Sequence, residues 1–348
     1  MTRLLTHTVK IISAGVIVLT FLSYLAPYVN PGLFRWLAFF GIAFPWCLLA
    51  NVILLLVWAF RAHRFALYHL GILLFGWTYV SSFIGMSLGK DVVPEGAITI
   101  ATHNLGGLFR GINLEQSEWE KIRNDYVEFL HEHGNPDILC TQETARKFYP
   151  PIAERMGYKY TFNLKKGTVI LSRYPMEAGG DVPFANTSNS SLWVDIRVQG
   201  RLVRVYNIHL QSNRVTQDTE KVIEDHELDK QETWKDINKV LRKVGGATSI
   251  RAGQAAQLRD HIAACPHPVI LCGDFNDTPN SYVYDLLAEG MTDTFRERGF
   301  GIGTTFSGAL PFLRIDYILT SPDIKTYASH IAHGSVSDHY PVIATLGF

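Results

Sequence analysis

The sequence predicts an α/β sandwich of two facing β-sheets, preceded by three transmembrane α-helices. Three observations lead to this fold class. The first 90 residues consist largely of three long apolar stretches. From residue 97 onward, short apolar runs typical of buried strands alternate with helical patterns. Some of these runs are joined by tight turns and others by helical segments, a mixture that favours two packed sheets with helices outside.

The three apolar stretches are residues 11–29, 37–60 and 65–88. Each is close to the ~20 residues that a helix needs to cross the hydrocarbon core of a bilayer. Pro45 predicts a kink in the second stretch. We therefore expect a membrane anchor over residues 1–90 that contacts the lipid bilayer through residues 11–88.

A cleaved signal peptide is the alternative interpretation of the first stretch, with Arg3 and Lys10 as its basic start. Two further apolar stretches follow directly, and no clear small-residue cleavage site precedes Pro27. These two facts favour a helix that is retained in the mature chain.

Basic residues in the short loops predict the orientation of the anchor. Four of them fall on one side of the expected spans and two on the other: Arg3, Lys10, Arg61 and Arg64 against Arg35 and Lys90. Cytoplasmic loops carry the excess of Lys and Arg, so the N-terminus is expected in the cytoplasm. Three crossings then place the C-terminal domain outside the cytoplasmic membrane, which is the periplasm in a bacterium with two membranes.

The overall charge is zero, with 32 basic and 32 acidic residues, but it is divided unevenly. The residues after 95 carry four more acidic than basic side chains. Such a domain lacks the broad basic surface of a protein that binds nucleic acid through its phosphates. Carboxylates gathered around a metal ion would give the same balance, so nucleic acid stays open as a partner. The four cysteines give no disulfide framework.

Eight strands are predicted in a domain over residues 97–348, after a linker at 91–96. They are residues 97–105, 137–143, 167–172, 191–198, 201–210, 268–275, 314–321 and 341–346. Helical spacing predicts helices over 118–133 and 252–264. The charged segment 213–250 is expected to be helical and solvated, as a surface excursion or as a lid over a site.

Polar side chains stand at the ends of these strands. Six strand ends carry them: Asn104, Glu143, His209, Asp274 with Asn276, Asp316, and Asp338 with His339. A single Asp or Asn at a strand end is commonly a turn former. A carboxylate such as Asp316 inside an apolar run is costly to bury without a partner. Six such strand ends together predict one shared polar site.

The motifs around these residues resemble those of a known family. They are THNLGG (102–107), LCTQET (139–144), NIHLQS (207–212), LCGDFNDTP (271–279), RIDYILTS (314–321) and SDHYPV (337–342). In this order they resemble the motif set of the endonuclease/exonuclease/phosphatase superfamily. That superfamily includes deoxyribonuclease I, exonuclease III-like enzymes, inositol polyphosphate 5-phosphatases and neutral sphingomyelinases. The resemblance covers residues 97–348 and implies a deoxyribonuclease I-like sandwich.

The resemblance also implies divalent-metal-dependent hydrolysis of a phosphoester. By similarity to the family, Glu143 is the main metal ligand, with Asn104 nearby and Asp338 contributing directly or through water. Carboxylate and amide oxygens suit Mg²⁺, and Mn²⁺ is the alternative ion.

Five further residues take catalytic roles by the same resemblance. Asp274 and Asn276 resemble the pair that positions the attacking water and the phosphate, and His209 resembles the histidine that contacts the phosphate or leaving group. Asp316 would orient and charge-stabilise His339. Whether Asp274 or His339 accepts the proton of the water is left open.

The substrate is either a nucleic acid or a phospholipid head group or other small phosphoester. Basic residues at the mouth of the site would favour the nuclease, and an exposed apolar ledge facing the membrane would favour the lipid enzyme. The alternative from another class is a non-catalytic, membrane-anchored binding module that retains the fold. No obligate protein partner is expected.

Overall fold

The computed structural model describes residues 3–89, 91–106, 116–164, 167–184, 187, 189–213, 231–308, 310–334 and 337–348. Its helices are α1 (Arg3–Leu25), α2 (Pro31–Phe34), α3 (Leu37–Ile42), α4 (Phe44–Ala59), α5 (Phe65–Phe75), α6 (Trp77–Phe83), α7 (Gln116–Glu132), α8 (Tyr149–Met156), α9 (Gln231–Ala263), α10 (Tyr282–Ala288) and α11 (Thr294–Arg298). Its strands are β1 (Ile84–Met86), β2 (Ile98–Asn104), β3 (Ile138–Gln142), β4 (Tyr160–Asn163), β5 (Val169–Ser172), β6 (Met176–Asp181), β7 (Ser190–Val198), β8 (Arg201–His209), β9 (Val269–Asp274), β10 (Thr292–Asp293), β11 (Phe300–Ile302), β12 (Asp316–Thr320), β13 (Lys325–Ile331) and β14 (Val342–Gly347).

Two six-stranded sheets form the sandwich. The first has the order β13-β14-β2-β3-β5-β4 and the second β10-β12-β9-β8-β7-β6. Apolar side chains from both sheets, such as Ile100, Ile138, Val205 and Ile270, fill the space between them. Helices α7 and α8 cover the outside of the first sheet, and α9 and α10 cover the outside of the second. The predicted two-sheet α/β sandwich is confirmed, and each of the eight predicted strands is present.

Two parallel strand pairs bring the polar strand ends together. Strands β2 and β3 run parallel in the first sheet, and β8 and β9 run parallel in the second. His209 therefore lies beside Asp274, where β8 and β9 both end. Strand β12 enters from the opposite direction, so Asp316 at its start pairs with Asp274 at the end of β9. One edge of the sandwich thus collects these side chains.

The long helix α9 combines part of the charged segment with the helix predicted at 252–264. Residues 214–230 lie outside the described residues. The expectation of a solvated segment is wrong for the turns around Val244, Ala247 and Thr248, which are buried. They lie where α9 meets the N-terminal helices, and Ser249 Oγ donates to Pro31 O over 3.0 Å.

One helix within the described residues, Leu4–Tyr28, is long and apolar enough to span a membrane by length and composition, with a mean hydropathy of 2.0. The second apolar stretch is divided into α3 and α4, next to Pro45, which lacks the N–H that a continuous helix would use. The third is divided into α5 and α6 at Gly76, where an added Cβ would lie 2.0 Å from Tyr24 Cζ. The kink predicted at Pro45 is thus a break between two helices, and the third stretch is not the single helix that the sequence predicts.

Polar side chains join α1, α4 and α5 inside this N-terminal unit. Asn51 Nδ2 donates to Thr20 Oγ1 over 2.7 Å, and Asn51 Oδ1 lies 2.8 Å from His69 Nδ1. Trp58 Nε1 donates to Ser13 Oγ over 2.8 Å. The three helices alternate in direction, because residues late in α4 contact residues early in α1. The buried side chains of Ser13, Thr20 and Asn51 thus gain hydrogen-bond partners from another helix.

Position 273 in β9 requires glycine, because any larger residue would strain the backbone there. Its φ is +136°, and an added Cβ would lie 2.0 Å from Ile208 O on the neighbouring strand. We expect Gly273→Ala to lower the melting temperature of the purified chain by roughly 4–8 °C, because backbone atoms must move apart. The measurement is thermal unfolding followed by circular dichroism.

The matched control is Gly253→Ala in α9, where an added Cβ would meet no atom within 4 Å. Alanine has the higher helix propensity, so this variant should melt at the same temperature as the parent or slightly above it. Equal melting temperatures for the two variants would show that Gly273 is not constrained as described.

Candidate active site

Four of the predicted site residues meet where the two sheets end. Asn104 from the first sheet donates through Nδ2 to Asp274 Oδ2 of the second, over 2.9 Å. The same Nδ2 lies 3.5 Å from Glu143 Oε1. His209 Nε2 lies 3.6 Å from Glu143 Oε1 and 3.8 Å from Asp274 Oδ2. The site therefore spans both sheets, which are joined here by the hydrogen bond from the Asn104 amide to the Asp274 carboxylate.

The buried carboxylate of Asp274 is held by amides. Asn276 N donates to Oδ1 over 2.7 Å and Asn276 Nδ2 donates to Oδ2 over 3.0 Å, beside the contact from Asn104. Burial raises the pKa of Asp274 to about 6, and the charge of Asp316 acts in the same direction. The nearby charges of His339 and His209 and the hydrogen bond from Asn104 oppose this rise. The left-handed backbone of Asn276, with φ of +53°, lets it fold back onto Asp274.

Asp316 and His339 form a buried pair next to Asp274. His339 Nδ1 lies 2.9 Å from Asp316 Oδ2 and 3.2 Å from Oδ1. Burial alone would lower the pKa of His339, but the charge and hydrogen bond of Asp316, with the charges of Asp274 and Asp338, raise it to about 9. Because Nδ1 is held by Asp316, Nε2 is the ring nitrogen left for a substrate.

Neighbouring loops hold this pair in place. Thr305 Oγ1 accepts hydrogen bonds from Ile315 N over 2.9 Å and from Asp316 N over 3.1 Å. Thr305 O accepts from Tyr340 N over 2.7 Å. Burial lowers the pKa of His103 to about 3, so its neutral ring donates from Nε2 to His339 O over 3.1 Å. Thr305 thus fixes the backbone next to both members of the pair.

Glu143 is the most accessible acid among these residues, with 36% of its side chain exposed. Its backbone is left-handed, with φ of +50°. An added Cβ at Gly106 would lie 2.2 Å from Glu143 Oε2. The glycine therefore leaves the room that this carboxylate occupies.

The other two predicted metal ligands, Asn104 and Asp338, make hydrogen bonds through their side-chain oxygens. Asn104 turns its Nδ2 toward Glu143 and Asp274, while its Oδ1 accepts from Gly106 N over 2.9 Å. The oxygen of Asn104 thus has one lone pair left for an ion. Asp338 lies beside the Asp316–His339 pair, and its Oδ1 accepts from Ser337 Oγ over 3.3 Å.

A second group of potential ligand atoms is more tightly clustered. One ligand atom each from Asp274, Asp316 and His339 lie within 4.8 Å of one another. Within this group, His339 Nδ1 is already hydrogen-bonded to Asp316, and the charges of these two side chains offset each other. The carboxylate of Glu143, by contrast, is accessible and has Asn104 beside it, and hard cations prefer oxygen ligands of these kinds.

Three residues of the site were missed from the sequence. Gly106 leaves room for Glu143, Ser337 Oγ donates to Asn104 O over 2.9 Å, and the Phe306 ring packs edge-on with its centroid 4.9 Å from that of His339. The glycine pair of THNLGG and the serine of SDHYPV stand inside the recognised motifs and could have been found there. Phe306 precedes the RIDYILTS motif in a loop whose path the sequence does not define.

The N-terminal helices contact the loops that carry the site. Asn280 Nδ2 donates to Ser23 O over 3.0 Å, and Thr278 Oγ1 donates to Gly41 O over 3.4 Å. Both residues belong to the loop that follows Asn276. The end of β9 is therefore fixed against α1 and α3.

A buried arginine makes a further contact of this kind. Arg314 Nη2 lies 2.5 and 2.7 Å from the two carboxylate oxygens of Asp293, and Arg314 Nη1 donates to Ser82 O over 2.8 Å. Both charged side chains are almost fully buried. Because Arg314 is two residues before Asp316, its hydrogen bond to Ser82 O links α6 to the start of β12.

Comparisons with known proteins are consistent with this geometry. Residues 101–339 match the family model of the endonuclease/exonuclease/phosphatase family. Residues 6–83 match a separate family model, described as a domain of unknown function. The chain is 27% identical over 184 residues to Nocturnin of Xenopus laevis, a match that covers 50% of this chain and 44% of Nocturnin. The chain thus spans less than half the length of that relative.

Two solved structures illustrate the shared fold. Danio rerio TDP2 complexed with a single-stranded DNA product is 16% identical, with a TM-score of 0.53, and covers 73% of this chain and 100% of that chain. A mannosyl-6-phosphatase of Bacteroides thetaiotaomicron is 17% identical, with a TM-score of 0.50, and covers 72% of this chain and 100% of that chain.

The buried Arg314–Asp293 pair should contribute strongly to stability. We expect Asp293→Ala to lower the melting temperature by roughly 6–20 °C, because it leaves the buried guanidinium without its counter-charge. The measurement is thermal unfolding of the full chain. Glu177→Ala, which removes an exposed ion pair with Arg197, is the control and should leave the melting temperature almost unchanged. Similar shifts for both variants would contradict the role of the buried pair.

Proposed function

Because the chain belongs to the endonuclease/exonuclease/phosphatase family, we propose that it hydrolyses a phosphodiester or phosphomonoester by attack of water on phosphorus. The observation that supports this most is the contact between Asp274, held by two asparagine amides, and the Asp316–His339 pair beside it. Aligned polar groups of this kind can position a water and stabilise charge on the phosphoryl oxygens.

In this proposal Asp274 orients the attacking water and accepts its proton. Its carboxylate is held by amides and by no Lys or Arg among the described residues, so it keeps its capacity to accept. Asn276 fixes Asp274 and the phosphate. The water oxygen forms the new bond to phosphorus, and the ester oxygen leaves with the electron pair of the broken P–O bond.

The two histidines would act on the phosphate oxygens. Asp316 keeps His339 protonated and oriented, so its Nε2 can donate to a non-bridging oxygen. His209 Nε2 is buried and makes no hydrogen bond among the described residues. A phosphate or leaving-group oxygen between His209 and Glu143 would supply its missing partner.

Glu143 would hold a divalent cation, with Asn104 and Asp338 as further oxygen ligands. Mg²⁺, or Mn²⁺ in its place, fits this set because hard cations prefer carboxylate and amide oxygens. When bound, the ion would supply positive charge to the phosphoryl and leaving oxygens. The orientation of Asn104, with one lone pair of Oδ1 free, is compatible with this role.

We further propose that the N-terminal unit, residues 3–86, is anchored in a membrane. Helix α1 has 23 residues, and α3 with α4 and α5 with α6 form broken helices of similar total length. At about 1.5 Å per residue each approaches the ~30 Å of a bilayer core. Many of their apolar side chains are exposed, including Leu19, Ile53 and Leu74.

The charge distribution of this unit supports a domain outside the cytoplasm. Lys10 Nζ lies 5.8 Å from the ring centroid of Phe65, at the end of the unit where Arg61 and Arg64 are found. The C-terminal domain contacts the other end, through Ser23 and Ser82. A basic end in the cytoplasm would leave the C-terminal domain on the far side of the membrane.

Activity and metal dependence can be tested in one titration. We expect the purified chain to hydrolyse bis(p-nitrophenyl) phosphate with added Mg²⁺ and not with EDTA. Asp274→Asn and His339→Ala should each lower kcat at least about 100-fold, because proton transfer or charge stabilisation is lost. Glu143→Gln should raise the Mg²⁺ concentration for half-maximal rate at least about tenfold.

Glu177→Gln, on an exposed strand away from the site, is the matched control and should retain the parental rate. Full activity in both Asp274→Asn and His339→Ala would contradict the assigned site. A folded parental chain that binds Mg²⁺ and hydrolyses neither soluble nor lipid phosphoesters would favour the non-catalytic binding module.

The orientation can be tested by cysteine labelling in a bacterium with two membranes. Arg201→Cys, in the C-terminal domain, should react with a membrane-impermeant maleimide in cells whose outer membrane is opened. Ala62→Cys, between Arg61 and Arg64, should react only after the inner membrane is disrupted. Both are made with Cys47 and Cys265 replaced by Ala. The reverse labelling pattern would contradict the proposed orientation.

A further inference from the structure

Strands β1 and β11 form a small two-stranded sheet whose one face is apolar and exposed. Met86 is the cross-strand neighbour of Phe300, and Ile84 is the neighbour of Ile302. Residues two apart in a strand point to the same side, so these four side chains share one face. Phe300, Ile302 and Met86 are 71%, 56% and 47% exposed. Large aromatic and aliphatic side chains grouped in this way indicate a binding surface.

A neighbouring loop adds to this surface. Phe306 and Leu313 form an isolated antiparallel bridge, and Leu310 and Phe312 are exposed between them. Residues 299–313 contain no charged side chain, and neither do residues 84–89. We call the exposed side chains of these segments the apolar ledge: Met86, Leu88, Phe300, Ile302, Leu310 and Phe312.

The ledge begins where the N-terminal helices end. Ile84 packs against a cluster of Tyr24, Phe44, Val80 and Phe83 from those helices. The β1–β11 pairing continues in hydrogen bonds from Ser87 N to Gly299 O and from Gly303 N to Phe83 O, both over 3.0 Å. The apolar surface of the anchor therefore continues onto the C-terminal domain without an intervening charged segment.

The same segment ends at the candidate active site. Phe306, four residues after Ile302, packs its ring on His339. The preceding residue, Thr305, accepts a hydrogen bond from the backbone N–H of Asp316. At its other end the loop reaches Arg314, which contacts Ser82 at the end of α6. The ledge is thus joined by short, hydrogen-bonded connections to both the anchor and the catalytic pair.

We propose that the apolar ledge lies in the head-group and acyl-chain boundary of the bilayer, and that the active site acts on a phosphoester of a lipid head group. This inference rests on the proposed function, because it assumes a phosphoesterase tethered by its N-terminal helices. The ledge is expected to contact a lipid surface for two reasons. It continues the apolar surface of the anchor, and the segments that form it contain no charged side chain. Apolar side chains that enter this boundary are removed from water, and a lipid phosphate at the same depth lies beside the site.

The position of the ledge can be measured without any activity. The full chain, with Cys47 and Cys265 replaced by Ala, receives a nitroxide label at Phe300→Cys, Phe312→Cys or Arg201→Cys. Each protein is reconstituted into vesicles of phosphatidylethanolamine and phosphatidylglycerol. Electron paramagnetic resonance then compares collisions with oxygen, which is enriched in lipid, and with a water-soluble nickel chelate.

We expect the labels at 300 and 312 to collide more with oxygen and the label at 201 to collide more with nickel. Arg201 is the matched control because it lies at the end of β8 opposite His209. Nickel accessibility at 300 and 312 equal to that at 201 would overturn the placement of the ledge, whether or not the protein is a hydrolase. A shielded label with low exposure to both reagents would indicate a protein partner and would also overturn it.

The substrate class is tested by the double variant Phe300→Ser/Ile302→Ser. Release of water-soluble phosphate compounds from the same vesicles should fall at least about tenfold, because the site is no longer held against the lipid surface. Hydrolysis of bis(p-nitrophenyl) phosphate by the same samples should be unchanged. Equal lipid hydrolysis by parent and variant, or parental activity on the soluble diester with none on lipid, would contradict a lipid head group as substrate.

Discussion

Two buried aspartates that face each other across neighbouring strands are the constraint on which the site depends. Asp274 and Asp316 are direct partners in the β9–β12 pairing, and both are almost fully buried. Two such carboxylates repel each other and are costly to bury unless hydrogen bonds and opposite charges offset that cost. His339 neutralises Asp316, and the amides of Asn104 and Asn276 bind Asp274. The arrangement leaves one oriented carboxylate beside one charged imidazole, as hydrolysis of a phosphoester would require.

The rest of the structure keeps these groups together. Parallel pairing in each sheet brings Asn104 and His209 to the edge where Asp274 ends its strand, and Thr305 fixes the start of β12. The N-terminal helices take part as well, through Asn280 after β9 and Arg314 before β12. These helices therefore contact the residues that flank both strands carrying the aspartates.

Sequence patterns predicted the strands of the sandwich because those strands are buried on both faces and appear as continuous apolar runs. They also indicated the polar strand ends, since six strand ends carry Asn, Asp, Glu or His side chains. Pro45 predicted the kink in the second apolar stretch. The break in the third stretch at Gly76 was not predicted, because it depends on the distant Tyr24 ring. The orientation of the Asn104 amide depends on contacts with the distant Glu143 and Asp274, and the apolar ledge depends on pairing between residues over 200 positions apart. Local sequence patterns carry no information on such contacts.

Whether water attacks phosphorus at this site can be determined by isotope labelling. The full chain would hydrolyse a phosphodiester in water enriched in ¹⁸O, with Mg²⁺ present, and the products would be analysed by mass spectrometry. Attack of water on phosphorus places one ¹⁸O atom in the phosphate product and none in the released alcohol. Label in the alcohol, or no turnover by a folded chain that binds Mg²⁺, would contradict this mechanism.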